Sequence, residues 1–127
     1  MSIINGIHHV SMKCYTQNEY ERVVDFYHNI LELPIARTWK DGIMFAVGDN
    51  LIEVFTNGQG ETQRGIIRHV AFATTDVEAC VAKVKDAGYE VFLGPKDIQI
   101  PSEPVFEAKM AFCYGPLGEE IEFFEEK

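Results

Sequence analysis

Basic charge is what this sequence has least of. Eleven lysines and arginines face twenty aspartates and glutamates in 127 residues, a net charge of −9. A surface that displaces counterions from nucleic-acid phosphates, or that rests on an anionic membrane, needs the opposite balance, so both partner classes are excluded. Cysteine is scarce as well: Cys14, Cys80 and Cys113 are odd in number and form no Cys-x-x-Cys pair. They read as buried, reduced small hydrophobes of a cytoplasmic protein. No apolar run approaches the roughly 20 residues that cross a bilayer. The opening residues, MSIINGIHHV, lack the basic and apolar stretches of a signal peptide. The expectation is a soluble cytoplasmic chain with no membrane or nucleic-acid partner. Its composition, 46% apolar and 24% charged, is ordinary for a globular domain, and its length suffices to bury one core.

What the chain does contain is a repeat. Gly65 to Ala73, read GIIRHVAFA, echoes Gly6 to Lys13, read GIHHVSMK, with His69 and His9 in matching positions 60 residues apart. A period of about half the chain sets the architecture, provided each copy carries the same elements in the same order. In the first copy, Ile7 to Cys14 reads as a strand. Ile7, His9, Ser11 and Lys13 share one face, and His8, Val10, Met12 and Cys14 the other. Thr16 or Asn18 caps a helix whose inward stripe is Val23, Val24, Phe26, Tyr27, Ile30 and Leu31, stopped by Pro34. Strands follow over Pro34 to Trp39, Ile43 to Val47 and Leu51 to Phe55, joined by turns at Lys40-Asp41-Gly42 and Gly48-Asp49-Asn50.

Asn57 to Arg64 is polar, contains glycine and reads as a linker. The second copy then opens with a strand over Ile66 to Ala73. A helix capped by Thr75 or Asp76 runs through Ala87 with Val77, Cys80, Val81 and Val84 inward, and Gly88 closes it. Strands over Tyr89 to Leu93, Phe106 to Tyr114 and Glu120 to Phe124 complete the copy, with a long connection from Gly94 to Pro104. The fold class is α+β: one domain over 1–127, made of two tandem βαβββ units spanning about 6–57 and about 65–125.

Each unit ends in an apolar strand with a glutamate inside it, LIEVF with Glu53 and EIEFFE with Glu122. Charged residues amid apolar strands are rarely buried unless paired or bound to a metal. Taken singly, a strand histidine is most often a satisfied core residue and a strand glutamate most often faces water. The repeat shifts the balance, because both anomalies occur twice, in order, on matching elements. His9, Glu53, His69 and Glu122 are therefore the candidate metal ligands. Two imidazoles and two carboxylates suit a borderline divalent ion such as Zn²⁺, Ni²⁺, Co²⁺ or Fe²⁺. His8 competes with His9, but alternation puts it on the helix-facing side, and the second copy has Arg68 at that place. His28, on the first helix, reads as a surface residue.

The paired units with HHVSM, LIEVF, RHVAF and GPLGEEIEFFE resemble the vicinal oxygen chelate superfamily over essentially the whole chain. That superfamily includes glyoxalase I, fosfomycin-resistance enzymes, extradiol dioxygenases and methylmalonyl-CoA epimerase. The resemblance implies that each unit curls into a half-barrel, that the pair encloses one Zn, Ni or Co ion in a cleft, and that the protein is a homodimer. His-Glu-His-Glu is most similar to glyoxalase I; the dioxygenases and fosfomycin enzymes lack the carboxylate at Glu53, and the epimerases usually carry glutamine there. The same resemblance implies substrate-binding roles for Asn57, four residues after Glu53, and for Lys13, four after His9. It also implies one for Arg64, which is one residue out of step with a glutathione-binding arginine of the family. Where that family has arginine, Lys13 keeps the charge and loses the bidentate fork.

The implied reaction is proton transfer beside a carbonyl through an enediolate. Glu122 is the base, Glu53 serves the opposite face, and the metal polarises the substrate oxygens. The expected substrate is the thiol hemithioacetal of a 2-oxoaldehyde, returned as an S-2-hydroxyacyl thioester. An epimerase of the methylmalonyl-CoA type is the rival enzyme, and a drug-binding protein of the bleomycin-resistance type the rival without catalysis.

Overall fold

In the computed structural model, which describes residues 6–59, 65, 67, 69–100 and 104–127, the alternation of the first apolar run becomes strand β1, His9–Lys13. Cys14, just beyond it, is fully buried. Thr16 then starts helix α1, Gln17–Val24: its hydroxyl accepts from the Glu19 N–H at 3.1 Å. The Glu19 carboxylate reaches back to the Tyr15 N–H at 2.7 Å, a capping box displaced by one residue. The expected helix does not continue as a uniform α-helix; it widens into a π-helical segment, Asp25–Ile30. That segment presents Phe26 and Tyr27 inward, both fully buried, and the Tyr27 ring lies 5.5 Å from Phe45. His28 is half-buried rather than on the surface, because its Nδ1 donates to the Leu33 carbonyl at 2.8 Å. Strands β2 (Ile35–Trp39), β3 (Gly42–Val47) and β4 (Asn50–Phe55) follow with turns where the glycines and aspartates suggested.

The second unit repeats this order. Strand β5 is His69–Ala73, so in both units the histidine opens its strand. Helix α2, Val77–Asp86, is capped by the Asp76 carboxylate accepting from the Ala79 N–H at 3.0 Å. It closes through Gly88, whose N–H donates to Lys85, while the Tyr89 N–H donates to Val84; together these bonds are a Schellman motif. Of its expected inward residues Val77, Val81 and Val84 are buried, whereas Cys80 is only half-buried. Strands β6 (Val91–Ile100), β7 (Phe106–Tyr114) and β8 (Glu120–Glu126) complete the unit.

The second strand of this unit corrects the sequence reading. Gly94 to Ile100, expected as part of a connection, continues β6 along β7, with register shifts on either side of Leu93. An edge strand tolerates a proline that would break a central one, and the irregularities absorb Pro95. Gly94 sits at φ +78, and a Cβ there would lie 2.5 Å from the Met110 carbonyl oxygen, so the position demands glycine.

The chain divides into two compact units, Met1–Thr62 and Gln63–Lys127, each with one four-stranded sheet. The orders are β1-β4-β3-β2 and β5-β8-β7-β6. In each the first strand runs parallel to the last, and the remaining pairs are antiparallel. One face of each sheet carries the core. In unit 1 it is Ile43, Phe45, Ile52 and Val54 with Val23, Phe26 and Tyr27 of the helical segment; in unit 2 it is Ala111, Cys113, Ile121 and Phe123 with the α2 valines. All three cysteines are free, and burial pushes the Cys113 thiol up to about 12. Among the described residues no helix is long and apolar enough to cross a membrane.

Candidate metal centre

The two histidines and two glutamates stand on the sheet faces away from the helices. In unit 1 the parallel register sets His9 opposite Leu51 and Ser11 opposite Glu53, so Glu53 lies one same-face step diagonal to His9. In unit 2 His69 is opposite Glu120 and Ala71 opposite Glu122, which is the same step. The consequence is the same geometry twice: His9 Nε2 lies 3.5 Å from Glu53 Oε1, and His69 Nε2 lies 3.4 Å from Glu122 Oε1. Both glutamates are nearly buried, at 8% and 9% exposure, while both histidines are exposed.

Those distances bear on what the pairs are for. A charge-assisted N–H···O bond would draw the atoms to about 2.7–2.9 Å. Two donors each about 2.1 Å from one tetrahedral ion lie about 3.4 Å apart. Both pairs match the second spacing, and their donor chemistry suits a divalent transition ion. The described residues fit such an ion as donors in pairs; no group of three or more His, Cys, Asp or Glu placed to hold a metal occurs among them.

Each pair rests on apolar ground that the sequence reading did not single out. Met44 is the register partner of Glu53 on β3, and Phe112 that of Glu122 on β7. These matched positions keep water from one side of each carboxylate, and aligning the third strands of the two units would have revealed them. The edge of the Phe112 ring also meets His69, with centroids 5.2 Å apart at 88°. Burial holds the Glu122 carboxyl above the ordinary carboxylate range, and the neighbouring His69 pulls it part of the way back.

His8 departs from its expected place. It precedes β1, so strand alternation does not govern it, and it is exposed instead of facing the helix. Its Nδ1 lies 2.9 Å from the His9 Nδ1. One ring must donate in that contact, and with His9 as donor its Nε2 lone pair is left free towards Glu53.

Of the residues implied to bind substrate, Lys13 is exposed on the face of His9 and Glu53, as the register partner of Phe55. Asn57 is exposed but lies two residues past the end of β4. There the chain has already turned, with the Thr56 N–H donating to Asp41 and the Gly58 N–H to Cys14, so Asn57 does not extend the strand face of Glu53. Arg64 falls outside the described residues. Ala71 and Ala73 are exposed beside His69 and present no bulk on that face.

The comparisons with known proteins bear on the fold and the family. No curated protein matches the sequence. Solved structures do match in fold. A protein from Bacillus anthracis named for the glyoxalase family is 20% identical with a TM-score of 0.74, over 100% of this chain and 99% of that one. The glyoxalase/bleomycin resistance protein/dioxygenase from Alicyclobacillus acidocaldarius gives 16% and 0.68, over 96% and 92%. Lactoylglutathione lyase from Agrobacterium tumefaciens gives 14% and 0.67, over 96% and 94%. A family model for the Glyoxalase/Bleomycin resistance protein/Dioxygenase superfamily covers residues 6–123. With that model matching nearly the whole chain, the chain belongs to the glyoxalase/bleomycin resistance protein/dioxygenase superfamily.

Proposed function

We propose that the protein is a metal-dependent lyase of the glyoxalase I type, working on a small thiol conjugate. The observation that carries this reading is the duplicated His–Glu pair, with buried carboxylates set 3.5 and 3.4 Å from imidazole nitrogens. In this reading the His9–Glu53 pair and the His69–Glu122 pair are the protein donors to a divalent ion. Bound there, such an ion would supply Lewis-acid polarisation of the substrate's oxygens.

The remaining chemistry belongs to the chain. Glu122, whose carboxyl burial holds above its ordinary range, takes the proton from the carbon bearing oxygen and sulfur in the hemithioacetal. The electron pair moves into an enediolate. The proton returns to the neighbouring carbon, leaving a thioester and a secondary alcohol. No outside oxidant or reductant is needed, since one carbon is oxidised as its neighbour is reduced. Glu53, equally buried, attends the opposite face. Met44 and Phe112 limit water around the two carboxylates and so discourage hydrolysis of the product.

The reading includes a homodimer and a cytoplasmic setting, where small thiols are abundant. The test is the metal content of the purified protein, followed by turnover of methylglyoxal with several thiols and of methylmalonyl-CoA. Bound metal, with hemithioacetal turnover abolished by chelation and restored by Zn, Ni or Co, is the expected result. A protein that takes up no metal and still binds small molecules would be a sequestering relative. Epimerisation of the CoA thioester alone would replace the lyase by the epimerase.

A further inference from the structure

The sheet face of Glu53 in unit 1 carries more than the metal donors. Register fixes two rows across it. Arg37, Met44, Glu53 and Ser11 form one; Trp39, Gly42, Phe55 and Lys13 form the next. Ring contacts confirm the face independently. Trp39 lies across the backbone of Gly42, where a Cβ would come within 2.3 Å of its six-membered ring, and it meets Phe55 edge-on at 5.8 Å. Glycine at 42 is thus what lets the indole lie down on the sheet. The indole is nonetheless 38% exposed, which is unusual for the largest apolar side chain of a unit with a well-filled core. Arg37 is exposed beside it, with no ion pair among the described residues.

Unit 2 has neither an arginine nor an indole on its matching rows. Its matching rows place Leu93 where unit 1 has Arg37, Lys96 where it has Trp39, and Ala73 where it has Lys13. A shared fold therefore does not require a cation and an indole at these positions. In a chain of net charge −9, an arginine fork beside a flat exposed aromatic and an apolar floor is a place for a ligand that the rest of the surface would repel.

We propose that Arg37 and Trp39 bind the carrier end of the substrate: Arg37 takes a terminal oxyanion, carboxylate or phosphate, while Trp39 and Phe55 pack against the apolar body. This deepens the lyase reading, because the oxyanion belongs to the thiol that carries the reacting carbons. A guanidinium suits a planar or tetrahedral oxyanion through two parallel hydrogen bonds, which lysine cannot reproduce. The site sits on β2, the edge strand of its sheet farthest from Lys13, so the two cations serve different ends of a ligand.

Trp39 is the chain's one tryptophan, so its emission reports occupancy of this face directly. The full chain is titrated with three unreactive probes: S-butylglutathione, its dimethyl ester, and S-butyl phosphopantetheine. The expected result is tighter binding of an oxyanion probe than of the ester, with the carboxylate or phosphate source identified by which probe binds better. Arg37→Ala then weakens the oxyanion probes roughly tenfold or more and leaves ester affinity unchanged, while Arg37→Lys recovers part of the loss. Equal binding of all three probes overturns the proposal. So does equal weakening of all three by Arg37→Ala, or a variant that alters only thermal stability. Turnover is read separately. A protein that discriminates the probes but shows no metal-dependent lyase activity sinks the proposed reaction and leaves this site standing; an active protein that does not discriminate does the reverse.

Discussion

Unit 1 and unit 2 set a histidine against a buried glutamate at the same step of the same parallel strand pair, yet the two pairs stand on different ground. His9 is backed by a polar neighbour, the His8 imidazole, and shares its face with Lys13, Arg37 and an exposed indole. His69 is backed by the edge of Phe112, which belongs to an aromatic run where Phe92 meets Phe112 at 5.6 Å and Tyr114 at 4.3 Å. What duplication preserves is the backbone register that delivers the ligands. What diverges is the surround: an imidazole, an arginine and an indole in one unit, an aromatic run in the other.

The comparison breaks most visibly at the two glutamates. Glu122→Gln should lower turnover about 10²–10⁴-fold as the loss of a general base, with Glu53→Gln distinguished by its effect on the opposite proton face. Deuterium exchange at the two substrate carbons checks the assignment; unchanged turnover in Glu122→Gln with metal still bound would falsify it. The same substitution has a second signature in metal-free protein. Because folding raises the Glu122 carboxyl above its unfolded value, the folded state holds that proton more tightly. Its contribution to stability therefore declines as pH rises from the ordinary carboxyl range through the raised one. Glu122→Gln removes that penalty, so the melting temperature of metal-free protein at neutral pH should rise while activity falls. A purely structural glutamate would show the reverse.

A smaller effect tests the histidine surrounds. His8→Phe gives unit 1 an aromatic neighbour in place of an imidazole, as unit 2 has, and removes the contact to His9 Nδ1. Loss of an outer partner that orients a ligating imidazole typically weakens metal affinity about 10–100-fold, which competition against a chelator would measure. Affinity that does not change would show that His9 needs no such support.

The repeat made much of this visible in advance, because period-two alternation and matched glutamates survive in a single sequence. Both element orders and both helix caps follow from residues within one strand or one turn of each other, and both His–Glu pairs follow from matching one copy of the repeat to the other. Other features failed for identifiable reasons. Gly94 and Pro95 are breakers by local preference, and only pairing with β7 shows that an edge strand continues through them. The π-helical widening after Val24, within which both Phe26 and Tyr27 are fully buried, is announced by no residue of the segment. Arg37 and Trp39 read as an ordinary exposed strand until register lines them up with Glu53 and Phe55 across three strands. Cross-strand neighbours are the information that a one-dimensional pattern lacks.

The helix starts offer a finer comparison, since each unit uses a different cap for the same purpose. Thr16→Ala and Asp76→Ala each remove the acceptor of an N3 backbone N–H, held at 3.1 and 3.0 Å. Each should cost about 1 kcal/mol in chemical denaturation. Thr16 is assisted by Glu19, so the asymmetry should appear as a smaller loss at Thr16 than at Asp76.

The smallest effect comes from the surface pairs of unit 2. Lys109 Nζ lies 2.7 Å from Glu78, joining β7 to α2, and Lys127 Nζ lies 2.7 Å from Asp97. The hydrogen bond from Lys109 holds the Glu78 carboxyl below its ordinary range, and that from Lys127 does the same for Asp97. Both contributions are present above the unfolded values of 4.5 and 3.8 and are lost as pH falls through the lower folded values. Lys109 is raised by Glu78, so its share holds below 10.5 and goes as pH rises above it. Unit 2 should therefore loosen slightly at both extremes. Exposed pairs are screened by salt and contribute little, so Lys109→Met should shift the acid limb of the melting profile at low ionic strength and leave it unmoved in concentrated salt. A shift that persists in salt would mean that the Lys109 stem packs on the sheet, and that its charge is incidental.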